Sequence, residues 1–361
     1  MPRLLFLLLT CLLLPLTASA EWTARLSAHA PEYFLAADKS RKLLFQVERQ
    51  TEEPVVTRQF DCIHGRREGD KQKEGDLRTP EGVYFITHKI TQKLDFMEYG
   101  PHAFNLNYPN PADRLRGKTG GGIWLHSKGQ PIEGLTTRGC MAIDRYEIED
   151  LVPLLAPGTP VIVAEHLEGA PFLPVPEKTL PAETPPQTEE APAQAGSLHA
   201  QAEETPPPAS GFFSLFRRNV EEPPVQEPPR EEAPTPPAPE KTTPLSAEGE
   251  RILNLTLLWM DNREQRSEVL FDLYDRENYP RAGRETFSAL RKRLRSDFNA
   301  QKELFLDREG IRLMEGPGYW VSCFMKSYMR KGTLHHGLQG LYWIPEEDGS
   351  FRIIGEVWIE S

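Results

Sequence analysis

Residues 135–145 read LTTRGCMAIDR, and residues 121–127, just upstream, read GGIWLHS. The first stretch sets Cys140 between a glycine and an apolar run; the second ends a β-type apolar run on His126. Such a run holds an imidazole rigidly, and Gly139 lets the chain turn tightly and approach a bound molecule closely. Attack by sulfur needs a thiolate, a base to generate it and N–H donors for the oxyanion that forms. Cys140, His126 and the Gly139-Cys140 backbone offer one of each. Asp144 and Glu147 predict a capped short helix after the cysteine, whose N-terminus would depress the thiol pKa. Taken singly, each signal has a plainer reading, because a lone buried cysteine is usually a small hydrophobe and a lone histidine usually structural.

Around these stretches lie short β-type runs, KLLFQVER (42–49), GVYFITHKI (82–90) and GTPVIVAEH (158–166), separated by Gly, Pro and Asp clusters. They predict a mostly-β domain of short strands over residues 21–166. Residues 246–361 reverse the order. Helical periodicity in RILNLTLLWMDNREQRSEVLFDLY and ETFSALRKRLRSDFNAQ precedes strand-like GYWVSCFMKSYM, GLQGLYWIP and FRIIGEVWIE. That sequence of elements predicts an α+β domain with helices on one side of a curved antiparallel sheet.

Between them, residues 167–245 hold 19 of the 34 prolines, with 13 Glu against 5 Lys or Arg. This composition predicts a disordered, self-repelling Pro/Glu-rich linker. Its net charge of −8 accounts for most of the −11 of the whole chain, so the acidity carries no message about the partners of the domains. Within it GFFSLFRRN (211–219) reads either as a docking motif for a protein partner or membrane surface, or as a sticky patch without one.

The chain opens MPRLLFLLLTCLLLPLTASAEW, which reads as a signal peptide over residues 1–20 ending at Ala18-Ser19-Ala20. Its apolar core is shorter than the roughly 20 residues of a spanning helix. The expectation is a soluble, exported, periplasmic protein. Export changes the meaning of the cysteines, since thiols outside the cytoplasm oxidise in pairs. Removal of Cys11 leaves Cys62, Cys140 and Cys323, an odd number, so at least one thiol stays free. Cys62 and Cys323 sit in apolar β-type runs and read as packing.

Three longer blocks carry a resemblance: GRREGDKQKEGDLRTPEGVYFI (65–86), YPNPADRLRGKTGGGIWLHS (108–127) and TTRGCMAID (136–144). Together they resemble the L,D-transpeptidase (YkuD-like) catalytic domain, a β-sandwich with short helices. The family's Gly-Asp-x-x-Thr-Pro-x-Gly block stands here as Gly75-Asp76, Thr79-Pro80 and Gly82, and its trailing Gly-Thr-Pro-Val as residues 158–161. The resemblance implies Cys140 as nucleophile, His126 as base, the Ser127 carbonyl as orienter of the imidazole, and amides of Gly139 and Cys140 as the oxyanion hole. It implies peptidoglycan stem peptides as substrate, cleaved before D-Ala, with the acyl group passing to an amine or to water. It implies no metal and no organic cofactor. By the same resemblance Tyr108, Asp113, Arg114 and Trp124 line a substrate groove, while Tyr108 and Trp124 read equally as core aromatics. Many members carry arginine two residues after the cysteine; here that position is Ala142, and Arg138, the nearest arginine, reads either as a bidentate partner of a substrate carboxylate or as a solvated loop arginine.

The C-terminal part resembles the NTF2-like fold, and the pairing resembles periplasmic L,D-carboxypeptidases that trim stem peptides and shape cells. Two alternatives accompany this reading: a wall-binding adaptor without catalysis, and a hydrolase that releases protein from the wall. Other classes fall away. His64 beside Cys62 has no second ligand cluster at zinc spacing. His335 and His336 are adjacent on a strand-like run and face opposite ways. The basic run ALRKRLRSDF (289–298) reads as a solvated helix face, so no nucleic-acid partner is expected, and GKTGGG (117–122) lacks the strand-to-helix context of a phosphate loop.

Overall fold

In residues 33–38, 82–86 and 160–164 almost every side chain is apolar and buried, the pattern of strands covered on both faces. In the computed structural model these runs form the middle of a sheet. The structure describes residues 23–24, 30–50, 53–168, 245–283 and 285–361. The expected signal peptide, nearly all of the proline-rich tract and the 211–219 motif lie outside them.

The N-terminal lobe contains strands β1 (Thr23–Ala24), β2 (Tyr33–Asp38), β3 (Leu43–Gln50), β4 (Glu53–Asp61), β5 (Gly82–Lys89), β6 (Ala103–Leu106), β7 (Trp124–Ser127), β8 (Met141–Ile143), β9 (Pro160–Ala164) and β10 (His166–Leu167). Its helices are short: α1 (Phe96–Tyr99), α2 (Pro111–Leu115) and α3 (Arg145–Leu151). Eight strands follow one hydrogen-bonded path, β4-β3-β2-β9-β5-β6-β7-β8, with β2–β9 and β7–β8 parallel and the others antiparallel. The expected mostly-β domain is present, its strands joined along one mixed sheet. Its register shifts in β5 between Ile86 and His88, where the path passes toward β6. Residues from both halves, among them Leu35, Tyr84 and Val163 on one side and Phe104, Leu125 and Met141 on the other, share one buried cluster.

The C-terminal lobe has helices first and strands after, in the order its periodicity predicts. These are α4 (Ala247–Glu264), α5 (Tyr279–Ala282) and α6 (Phe287–Ala300), then β11 (Lys302–Leu306), β12 (Arg312–Gly316), β13 (Tyr319–Arg330), β14 (Thr333–Pro345) and β15 (Phe351–Glu360). Ser246 and Thr286 cap α4 and α6 through the amides of Gly249 and Ala289. The five strands form one antiparallel sheet in which β13 pairs with β11, β12 and β14. Trp320 and Phe324 of β13 face Trp259, Leu290 and Leu294 of the helices.

The alternate residues of β13, Tyr319, Val321 and Cys323, face the other way, into a cluster with Phe34, Val83, Phe85 and Ile162 of the N-terminal sheet. The two sequence domains therefore share a core. Polar groups at the seam match: the Val83 amide donates to Tyr319 Oη at 2.8 Å, Asn110 Nδ2 to the same oxygen at 3.1 Å, and Asn107 Nδ2 to Tyr342 Oη at 3.1 Å. Cys62 and Cys323 are free thiols buried in different clusters, as their apolar surroundings suggest.

Candidate active site

Parallel pairing of β7 and β8 sets Leu125 opposite Met141, His126 opposite Ala142 and Ser127 opposite Ile143. Side chains alternate along a strand, so Trp124 shares a face of β7 with His126, and Cys140 immediately precedes β8. His126 is 1% exposed, and its Nδ1 lies 2.5 Å from the Ser127 carbonyl oxygen. A carbonyl only accepts, so Nδ1 carries the proton and Nε2 keeps its lone pair. Burial pushes the imidazole down to about 4, helped by the Lys128 charge and opposed by the Ser127 carbonyl and Glu98. The ring is neutral, with one tautomer fixed.

Cys140 is half-buried, its Sγ 3.5 Å from the Gly122 carbonyl oxygen. Thr137 Oγ1 braces the turn, accepting from the Gly139 amide at 3.0 Å and donating to the Cys140 carbonyl at 2.7 Å. Gly139 has φ +133°, and a Cβ there would lie 2.8 Å from the Arg78 carbonyl oxygen, so only glycine fits. The Gly139 amide, expected in an oxyanion hole, donates to Thr137 Oγ1 in this structure. The thiol also departs from expectation. Strand β8 separates it from α3, which Asp144 caps through the Tyr146 amide at 2.8 Å. Burial, not a helix end, governs the sulfur and pushes its pKa up, against the lowering effects of a Trp124 backbone contact, Lys128 and Arg138.

The Gly-Asp-x-x-Thr-Pro block explains itself as scaffolding for this turn. Asp76 accepts from Lys71 Nζ and from the amides of Gln72, Lys73 and Arg78. Those donors outweigh burial and hold its carboxyl well below the usual range. Thr79, fully buried, accepts from the Gly65 amide at 2.9 Å and reaches the Cys140 carbonyl at 3.5 Å.

The remaining expected residues divide. Arg138 is exposed in the turn beside the thiol, and Trp124 is half-buried on the face of His126. Tyr108, Asp113 and Arg114 do not join them. Tyr108 is buried and donates to the Thr119 carbonyl at 3.2 Å. Asp113 is 1% exposed, paired with Lys118 at 2.9 Å and accepting from Tyr84 Oη at 3.0 Å. Arg114 reaches across the seam to the Ala282 carbonyl at 2.6 Å. A polar segment that reads as a groove is instead a buried capping box and an interlobe strut.

The structure adds three residues. Tyr99 sets its ring 5.2 Å from both His126, edge-on, and Trp124. Lys128 is buried and pairs with Glu98 at 3.0 Å. No spacing rule links residues 98–99 to 126–128, because a loop return brings them together. His64, flagged beside Cys62, turns both ring nitrogens to the carbonyls of Gly65 and Lys39. A separate cavity of about 360 Å³ opens in the C-terminal lobe between α4, α6 and the sheet. There Lys326 donates to Gln339 Oε1 at 3.0 Å, Arg263 to Gln301 Oε1 at 2.5 Å, and burial lowers the lysine to about 8.

Residues 32–163 match the family described as the L,D-transpeptidase catalytic domain. Over 122 residues the chain is 26% identical to YafK of Escherichia coli (strain K12), which carries the name of an L,D-transpeptidase; the stretch is 34% of this chain and 46% of that protein. The O157:H7 counterpart matches equally, so the chain spans less than half the length of these relatives. Among solved structures, Bdellovibrio bacteriovorus Bd1075 aligns with TM-score 0.52 and 18% identity, covering 93% of this chain and 98% of that one. The helical cell shape determining protein Pgp2 from Campylobacter jejuni aligns with TM-score 0.52 and 19% identity, covering 91% and 92%. Both likenesses show a shared fold that extends through both lobes.

Proposed function

We propose that this chain is an exported peptidoglycan enzyme in which Cys140 attacks the bond before D-Ala of a tetrapeptide stem. The observation that carries the reading is the parallel pairing of β7 with β8, which sets the strand bearing His126 beside the strand that Cys140 immediately precedes, with His126 Nδ1 pinned by Ser127. Both groups are neutral in the free protein, so the reaction begins without a preformed ion pair. As Sγ attacks the carbonyl, its proton passes to His126 Nε2, and the Cys140 amide receives the developing oxyanion. Collapse of the tetrahedral adduct expels the D-Ala amine, which takes the proton back from His126. The thioester then passes its acyl group to water, giving a tripeptide, or to an amine, giving a cross-link.

We place hydrolysis first, because the pairing of a YkuD-like lobe with an NTF2-like lobe resembles periplasmic L,D-carboxypeptidases; the likeness to a protein named for helical cell shape brings a cell-shape role into the proposal. The C-terminal lobe, read as NTF2-like, supplies the second layer of the molecule and a polar cavity of its own. The test is mass spectrometry of disaccharide-tetrapeptide incubated with wild type and Cys140→Ala. The expected product is a tripeptide formed by wild type alone. Dimers joined through third-position residues would assign transpeptidation instead. No product across several acceptors would overturn the substrate and bring the adaptor, or release of a wall-attached protein, forward.

A further inference from the structure

The β7–β8 pair lacks a cation at position 142, where Ala142 stands directly opposite His126. A cation lies nearby all the same. Lys128, one residue past the end of β7, pairs with Glu98, whose neighbour Tyr99 sets its ring 5.2 Å from that of His126. The Lys128 side chain is 5% exposed, and its ammonium meets Glu98 at 3.0 Å. A buried ammonium needs an anion beside it. The two halves of this pair are held very differently. Lys128 continues directly from strand β7, in the interior. Glu98 is 39% exposed and sits on α1, a helix of four residues with none buried, whose Phe96 and Met97 are 49% and 52% exposed. α1 is held by its Asp95 cap, by the Gly129 amide donating to the Met97 carbonyl at 3.2 Å, by close approach of Gly100 to Ser127, and by Tyr99 against Trp124 and His126.

We propose that Lys128 is the receptor for a substrate carboxylate beside the reacting thiol, and that Glu98 occupies it until that carboxylate arrives. The inference rests on the reading of Cys140 as nucleophile and names a specificity residue for it. Stem peptides offer two such groups, the carboxylate of terminal D-Ala and the side-chain carboxylate of a diamino acid at the third position. Exchange of one carboxylate for another keeps the ammonium paired throughout, so binding never strands a buried charge. The Lys128 charge is also felt at both reacting groups, lowering the pKa of imidazole and thiol alike.

The test needs no peptidoglycan. Cys140 in the full chain is alkylated with iodoacetate, which carries a carboxylate, and with neutral iodoacetamide, and each product is read on the peptide containing Cys140. The proposal expects the iodoacetate-to-iodoacetamide rate ratio to exceed that of a free thiol in wild type. Glu98→Gln should raise it about fivefold, Lys128→Gln should abolish the preference, and Lys128→Arg should keep it. In the Lys128→Gln/Glu98→Gln double variant the effect of Glu98→Gln should vanish, which separates an occupied receptor from simple loss of a repelling charge. Arg138→Ala sets the scale for the exposed cation of the same turn and should change the ratio less. A ratio unchanged in Lys128→Gln, or an equal rise from Glu98→Gln with and without Lys128, overturns the proposal. If Lys128→Gln fails to fold, as read by its melting curve, Glu98→Gln and Lys128→Arg decide alone. A preserved ratio pattern with no tetrapeptide turnover would sink the substrate assignment and leave the receptor standing.

Discussion

His126 is where a single residue sets a property of the whole protein. Its unfolded value lies near 6.5 and its folded value near 4, so between those values the unfolded chain binds more protons. The sign follows: stability contributed by the neutral, buried ring is fully present above pH 6.5 and is lost as pH falls toward 4. The amount is about 3 kcal/mol at the acid end. Paired urea titrations of wild type and His126→Gln should show the wild type losing that much more stability across this window. Parallel curves would mean that the ring is not held neutral. The strand position of His126 and the turn before β8 were legible in the candidate site, because a histidine ending an apolar run and a Thr-x-Gly-Cys turn are local signals. Tyr99, Glu98 and Lys128 were not. Their meeting depends on a loop return that no periodicity encodes, and the conspicuous candidates Asp113 and Arg114 turn inward because Lys118, Tyr84 and the Ala282 carbonyl partner them there.

Among the elements, the turn that carries Cys140 stands out as a structure without a strand or helix of its own. Its shape is carried by two threonine hydroxyls, each accepting one amide and directed at the same carbonyl, that of Cys140. Thr79→Val keeps the volume and removes one of them, leaving the buried Gly65 amide without a partner. The expected cost is about 1–3 kcal/mol, with a lower melting temperature and a drop in turnover, since the same change loosens the cysteine. Loss of stability with unchanged turnover would show that Thr137 alone positions the sulfur. The strands themselves were easier to anticipate than the sheet they make. Runs such as GVYFI and PVIVA announce burial on both faces. Nothing in them says that β5 lies between β9 and β6, or that its register shifts near Ile86 as the sheet bends.

For the whole molecule, the decisive fact is the second covering of that sheet. Composition divides the chain into two domains with a proline-rich tract between them, and each half has its own element pattern. Yet Phe34, Val83 and Phe85 would face water without Tyr319, Val321 and Tyr342, which arrive from more than 200 positions along the chain. A solvated face would have alternated apolar with polar, so doubly apolar strands already implied a cover; its origin was out of reach of local reading. The shared core predicts that the lobes unfold together. Four of the six tryptophans, Trp259, Trp320, Trp343 and Trp358, lie in the C-terminal lobe, so fluorescence follows that lobe. Alkylation of Cys62, 3% exposed in the native state, follows the N-terminal core. On heating, the two signals should share one midpoint. Tyr319→Phe strips the acceptor from the Val83 amide and from Asn110 Nδ2, at a cost of about 1–3 kcal/mol, and should lower both midpoints equally. At this size each kcal/mol is worth about 2–4 °C, so the shift is measurable. Were fluorescence to change first while Cys62 stayed protected, the lobes would be separable domains that merely touch, and the catalytic sheet would owe its stability to its own core alone.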